Sequence, residues 1–190
     1  IMHIISRLNI NSEDIDDVIV GCAYPEGEQG YNIGRMAALL SNLPETVPGM
    51  TINRLCGSSM QAAISAANAI SVGQGECYVV AGVESMSRVK RRGFNWSPHP
   101  ALESGVTDAY ISMGTTAENV AREYGITREQ QEAFAVESHM KAAAYETTSR
   151  HIIGVSDLDG EEILVDGCIR ANTSMELSLI HISEPTRPLE

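Results

Sequence analysis

Basic side chains are scarce in this 190-residue chain: 13 lysines and arginines stand against 25 aspartates and glutamates, a formal net charge of -12. A nucleic-acid footprint needs lysine and arginine gathered together, so no nucleic-acid partner is expected. Apolar runs are short. None approaches the ~18 to 20 residues that a membrane helix requires, so no membrane association is expected either. The opening Ile1-Met2-His3-Ile4 has neither the charged start nor the long apolar stretch of a secretory signal. The four cysteines, Cys22, Cys56, Cys77 and Cys168, form no CxxC pair, and no His-x-x-x-His spacing lies near them. A metal site is therefore not expected. With no secretory signal, these thiols are expected to be reduced, in a cytoplasmic setting.

What is present is the composition of a folded domain, with 43% hydrophobic and 20% charged residues. The β-branched run Val18-Ile19-Val20 reads as a buried strand. Ile33, Met36, Ala37, Leu39, Leu40 and Leu43 recur at helical spacing, and Pro44 stops that helix. Met50 to Asn53 and Cys77 to Ala81 read as further strands. Between them Ser58 to Val72 reads as a helix, with Met60, Ala63, Ile64, Ala67 and Ile70 on one stripe. Strands alternating with helices predict an α/β fold with a mostly parallel sheet. Beyond Gly82 the texture changes to a basic, proline-containing loop, Arg88 to Pro100. Helices are then predicted over Thr115 to Tyr124 and Thr127 to Tyr145, the second opened by a Thr127/Gln130 capping signature. Cys22 and Cys77 adjoin apolar runs and read as small core residues.

Cys56 is different. Asn53-Arg54-Leu55-Cys56-Gly57-Ser58-Ser59-Met60 places it between a strand and a small-residue helix start. Helix N-terminal N–H groups favour a thiolate, and the small neighbours leave room for a substrate. Spacing alone leaves two readings open, a reactive thiol or a cysteine buried in a tight turn.

The segment from Asn53 to Ala62 closely resembles the acyl-enzyme motif of thiolases, the acetyl-CoA C-acyltransferases. Val18 to Cys22 followed by Asn32-Ile33-Gly34-Arg35 is similar to that family's early strand and helix. Gly82-Val83-Glu84-Ser85-Met86-Ser87 and Ser112 to Asn119, with Gln130 to Ala135, resemble later segments in the same order. The resemblance covers residues 13 to about 176. It implies a partial thiolase fold: most of the first βαβαβαββ half, residues 1–85, then the start of the loop domain, residues 86–176. It implies Cys56 as the nucleophile that takes an acyl group from a 3-ketoacyl-CoA and hands it to a second CoA, with the Cys56 N–H as one oxyanion donor. Coenzyme A then serves as a substrate, and no cofactor is expected.

Other residues follow from the same resemblance. Met113 aligns with a methionine bordering the acyl and pantetheine pocket, and Ser112 stands where short-chain biosynthetic members carry a CoA-proximal histidine. His139 occupies a position near bound CoA, with a solvated helix histidine as the alternative. The run Arg88 to Arg92 reads as a solvated loop in preference to a phosphate cradle. A Glu84/Glu118 acid pair is given little weight. Homodimers or homotetramers are the family's habit.

The family's later Gly-His-Pro and Cys-x-Gly-Gly motifs do not occur in these 190 residues. The opening strand and helix of the first half are also expected to be missing, and residues 177–190 read as a non-native tail resembling a translated sequencing adapter. The chain is therefore expected to be inactive in full turnover. Two alternatives stand beside acyl transfer. One is a non-catalytic CoA- or partner-binding module of the same fold, and the other is a ketoacyl-synthase-like branch.

Overall fold

The structure, a computed structural model, describes residues 1–103, 108–145 and 151–175. The expected tail at 177–190 lies outside these residues. The chain divides into two compact units, Ile1–Pro100 and Ala101–Glu190. The division falls after the boundary expected at residues 85/86, because the intervening loop is tied back to the turn beyond the first strand. Ser85 N–H donates to Gln29 Oε1 at 2.7 Å, and Phe94 N–H donates to Glu26 Oε2 at 2.6 Å. Arg88 pairs with Glu28 at 2.9 Å, and Val89 is buried.

In the first unit, α1 (Met2–Leu8), β1 (Asp17–Gly21), α2 (Ile33–Leu40), β2 (Gly49–Ile52), α3 (Ser58–Ser71) and β3 (Tyr78–Gly82) follow in order. The three strands form one parallel sheet in the order β2-β1-β3. Ile19 pairs in register with Met50 on one side and Val80 on the other. Alternation along β1 sends its side chains to two faces. Val18 and Val20 pack with Ile15, Ala38, Leu43, Val47 and Val79, while Ile19 packs with Ala62 and Ala66. Each buried valine, isoleucine or leucine among these contributes roughly 1.5–3 kcal/mol, so this central strand anchors both layers.

Asn32 caps α2, its Oδ1 accepting from Arg35 N–H at 3.3 Å. Gly34 and Gly49 are required where α2 crosses β2: a Cβ on Gly34 would strike the Met50 backbone, and one on Gly49 would strike that of Arg35. The helix stops at Leu40, short of Pro44. There Ser41 Oγ donates to Ala37 C=O at 2.6 Å, and Asn42 turns left-handed at φ 54°. Leu43 still reaches the core from the turn.

The stripe expected on α3 points outward. Met60, Ile64 and Ile70 are exposed, and the buried face is Ser58, Ala62 and Ala66. The cause lies in the sheet beneath. A Cβ at Gly21 would run into the Ser58 and Ser59 backbone, so α3 sits closer to the strands than a leucine or methionine face allows. α1 was not anticipated. It forms because Ile1 and Ile5, with Ile10 beyond the turn, share a side that packs against the core, and Asn9 closes the helix in the left-handed region at φ 52°.

The second unit carries α4 (Met113–Tyr124), α5 (Arg128–Ala144) and a short antiparallel pair, β4 (Val155–Ser156) with β5 (Glu162–Ile163). The capping box at the start of α5 is present in full: Thr127 accepts from Gln130 N–H, and the Gln130 side chain accepts from Thr127 N–H at 2.9 Å. The β4–β5 pair, also unanticipated, turns on Asp157, whose Oδ1 accepts from the N–H groups of Asp159 and Glu161, both at 2.9 Å. Among the described residues, no helix is long and apolar enough to cross a membrane.

Candidate active site

Cys56 is exposed, so the buried-cysteine reading fails. It lies one residue before Gly57, the N-cap of α3, on a turn between β2 and that helix. The turn is tight. Gly57 N–H donates to Arg54 C=O at 3.1 Å, and Ser58 N–H to Leu55 C=O at 3.0 Å. Ser58 is buried, and its hydroxyl works in both directions. It accepts from Arg54 N–H at 2.9 Å and donates to Leu55 C=O at 2.5 Å. Leu55 is held left-handed at φ 47° although it has a side chain. Such a conformation costs about 1–3 kcal/mol and persists only where the surroundings over-determine it. The elbow is set on the sheet by close packing: Gly21 faces the Ser58–Ser59 backbone, and a Cβ on Gly82 would come 2.8 Å from Ser59 Cβ.

The other expected site residues belong to the second unit. Ser112 is the N-cap of α4, its Oγ accepting from Thr115 N–H at 3.1 Å and lying 2.9 Å from Thr115 Oγ1. That cap starts the helix at Met113, earlier than the Thr115 expected from the sequence. Met113 is exposed at the first helical position. His139 is half-buried on α5, where Nδ1 accepts from Arg170 N–H at 3.2 Å. It therefore fastens the segment after β5 and is not a freely solvated histidine. Cavities of about 300 Å³, lined by Glu118, Arg122, Arg128 and neighbours, and about 280 Å³, lined by Leu164, Val165, Asp166 and neighbours, include none of these three residues.

Glu84 and Glu118 fall in different units. Glu84 is a hub. Its Oε2 accepts from Ala23 N–H at 2.7 Å, and its Oε1 accepts from Gln29 Nε2 at 2.6 Å and Tyr24 N–H at 3.3 Å. The Cys22 thiol, 3.9 Å from Oε1, is pushed up by burial and by that carboxylate's charge, which makes it a protonated structural thiol. Arg88 is engaged by Glu28, and Arg92 lies 4.8 Å over the Trp96 ring, so part of the basic run is used within the first unit. Among the described residues, no group of His, Cys, Asp and Glu is arranged to hold a metal ion. Sequence reading missed Asn53, Leu55 and Ser58 as makers of the elbow. The one available signal was an Asn two residues before Leu55, where an Asx turn forms.

The first unit is thus a parallel α/β domain that carries an exposed cysteine on a tight turn at a helix start. The family model described as "Thiolase, N-terminal domain" matches residues 1–179, and the chain belongs to that family. The chain is 42% identical over 175 residues to a 3-ketoacyl-CoA thiolase of Shewanella frigidimarina (strain NCIMB 400), covering 88% of this chain and 45% of that protein. It is 44% identical over 174 residues to one of Pseudoalteromonas translucida (strain TAC 125), covering 88% and 44%. A Shewanella putrefaciens 3-ketoacyl-CoA thiolase is 43% identical over 170 residues, covering 85% and 43%. The chain thus spans less than half the length of these curated relatives. Its parallel sheet and helix order are those of a partial thiolase N-terminal domain.

Proposed function

We propose that Cys56 is the acyl-carrying nucleophile of a thiolase-type acyltransferase acting on 3-ketoacyl-CoA, or condensing two acetyl-CoA in reverse. The observation that carries this is the exposed thiol at the start of α3, on a turn strained at Leu55 and closed by Ser58. In the cleaving direction the Cys56 thiolate attacks the 3-keto carbon, the adjacent carbon–carbon bond breaks, and the departing acetyl-CoA carbanion takes a proton. The thiol of a second CoA then attacks the acyl-cysteine, and Cys56 leaves as thiolate. Sulfur suits both halves because it attacks well and departs well. A backbone N–H at Cys56 would face the developing oxyanion. Ser112, Met113 and His139 are the CoA-binding residues in this reading, and CoA is substrate, with no further cofactor.

The whole protein works in the cytoplasm as a homodimer or homotetramer. Residues 1–190 alone support at most the first half-reaction, since they hold no Gly-His-Pro or Cys-x-Gly-Gly segment to supply the activating histidine and the second cysteine. Full turnover is then lower by several orders of magnitude. The test is intact-mass spectrometry after incubation with acetyl-CoA. An acetyl adduct maps to Cys56 and is absent from Cys56→Ala. An adduct that persists in Cys56→Ala overturns the reading, whereas a folded sample that takes none shows that the thiol needs the histidine these residues do not hold.

A further inference from the structure

We propose that Asn53, anchored through Ala23 to Glu84, is a positioning residue that holds Cys56 in its reactive orientation. The proposal rests on Cys56 as the acyl carrier and names what aims it. Three stretches distant in sequence meet here. Glu84 Oε2 accepts from Ala23 N–H at 2.7 Å, and Ala23 C=O accepts from Asn53 Nδ2 at 2.9 Å. Asn53 Oδ1 then accepts from Leu55 N–H at 2.9 Å. Glu84 cannot swing away, because Gln29 Nε2 and Tyr24 N–H hold its other oxygen, and Gln29 is itself buried.

The last of these bonds acts on the strained residue. Leu55 stays left-handed at φ 47° while its N–H is drawn to Asn53 and its C=O to Ser58 Oγ. Remove the Asn53 amide and two backbone groups, Ala23 C=O and Leu55 N–H, can take water instead. Leu55 is then free to relax to negative φ, as a residue with a Cβ prefers. That rotation swings the next residue, and with it the Cys56 Cα–Cβ bond. A misplacement of about 1 Å at a reacting atom costs on the order of a hundredfold in rate. Asn53 touches no reacting atom in this account; it acts through the backbone of Leu55.

The test compares Asn53→Ala, Asn53→Asp and Ser58→Ala with the parent chain. Asn53→Ala is expected to lower the saturating rate of Cys56 acetylation by acetyl-CoA at least about tenfold, with the half-saturating concentration changed less than about twofold. Asn53→Asp keeps the acceptor for Leu55 N–H and recovers part of the loss. The opposite split, an unchanged rate with weakened saturation, overturns the proposal, as does an unchanged rate. Cys22, 1% exposed, reports on folding through its resistance to iodoacetamide. If Asn53→Ala exposes Cys22, Asn53→Asp and Ser58→Ala carry the decision, and a parental acetylation rate in both overturns the proposal. Should the parent chain take no acetyl group, the acyl-transfer reading loses that support separately, and amide exchange decides the positioning claim. Faster exchange over residues 53–58 with β3 unchanged supports the hold on the elbow. Unchanged exchange there overturns it.

Discussion

The two units are built on opposite terms. The first buries a core on each face of its sheet, with Val18 at 0% and Ala62 at 0% exposure, and Cys22 at 1%. In the second, among the described residues, the single buried side chain is Glu132, whose Oε1 accepts from Arg128 Nε at 2.6 Å and whose Oε2 has no partner. Long-range packing fixes the first. Local devices shape the second: the Ser112 cap on α4, the capping box on α5, and ion pairs one helical turn apart. The difference bears on chemistry, since a strained turn persists only on a framework that cannot yield. Cys56 stands on that framework, and Ser112 and Met113 stand on a helix start held by its cap.

The sharpest way to break the comparison is to disturb the close packing under the elbow. Gly21→Val places a Cβ in the Ser58 and Ser59 backbone, which cannot rotate aside. We expect at least about 2 kcal/mol of destabilisation, read by denaturant unfolding, together with loss of Cys56 acetylation. Thr127→Ala probes the other regime. Losing an N-cap costs about 1 kcal/mol, here confined to α5. Amide exchange over the first turns of α5 should rise about fivefold while β1 is unchanged, and a matching loss of protection in β1 would show that the units are not built separately.

The same contrast governs what could be read from sequence. The strands were legible because β-branched runs such as Val18-Ile19-Val20 have few alternatives, and α5 was legible because its capping box is local. The fold class and Cys56 came from ordered motifs. The orientation of α3 was not legible. Met60, Ile64 and Ile70 give a clear stripe, but periodicity does not say which side a helix buries, and the answer depends on glycines in two strands. Asn53 and Glu84 were invisible as a pair for a similar reason. Their link passes through Ala23, which lies 30 positions from one and 61 from the other. The terminal helix Met2–Leu8 escaped because its packing side is carried by so few residues, Ile1 and Ile5 with Ile10 beyond it.

Two carboxylates carry the comparison to its smallest expected effects. Asp16 is held below its ordinary range by the backbone N–H of Cys77, with that of Glu76 beside it, joining the start of β1 to the start of β3. A depressed carboxylate contributes stability that is fully present above its unfolded value, near 3.9, and is lost as pH falls through the lower folded value. Asp16→Asn should therefore flatten the acid limb of unfolding below about pH 4 and leave the neutral limb parallel to the parent's. Glu137 is also lowered, by a hydrogen bond from Lys141 and by its charge, but both side chains are exposed, at 61% and 75%. Solvent and salt screen such a pair, and its net worth is close to nothing. Lys141→Ala should leave thermal unfolding unchanged within error at 0.15 M salt. A measurable loss would mean that surface charge stabilises the second unit, whereas the acid limb set by Asp16 should persist in high salt because backbone N–H groups, not a mobile cation, hold that carboxylate.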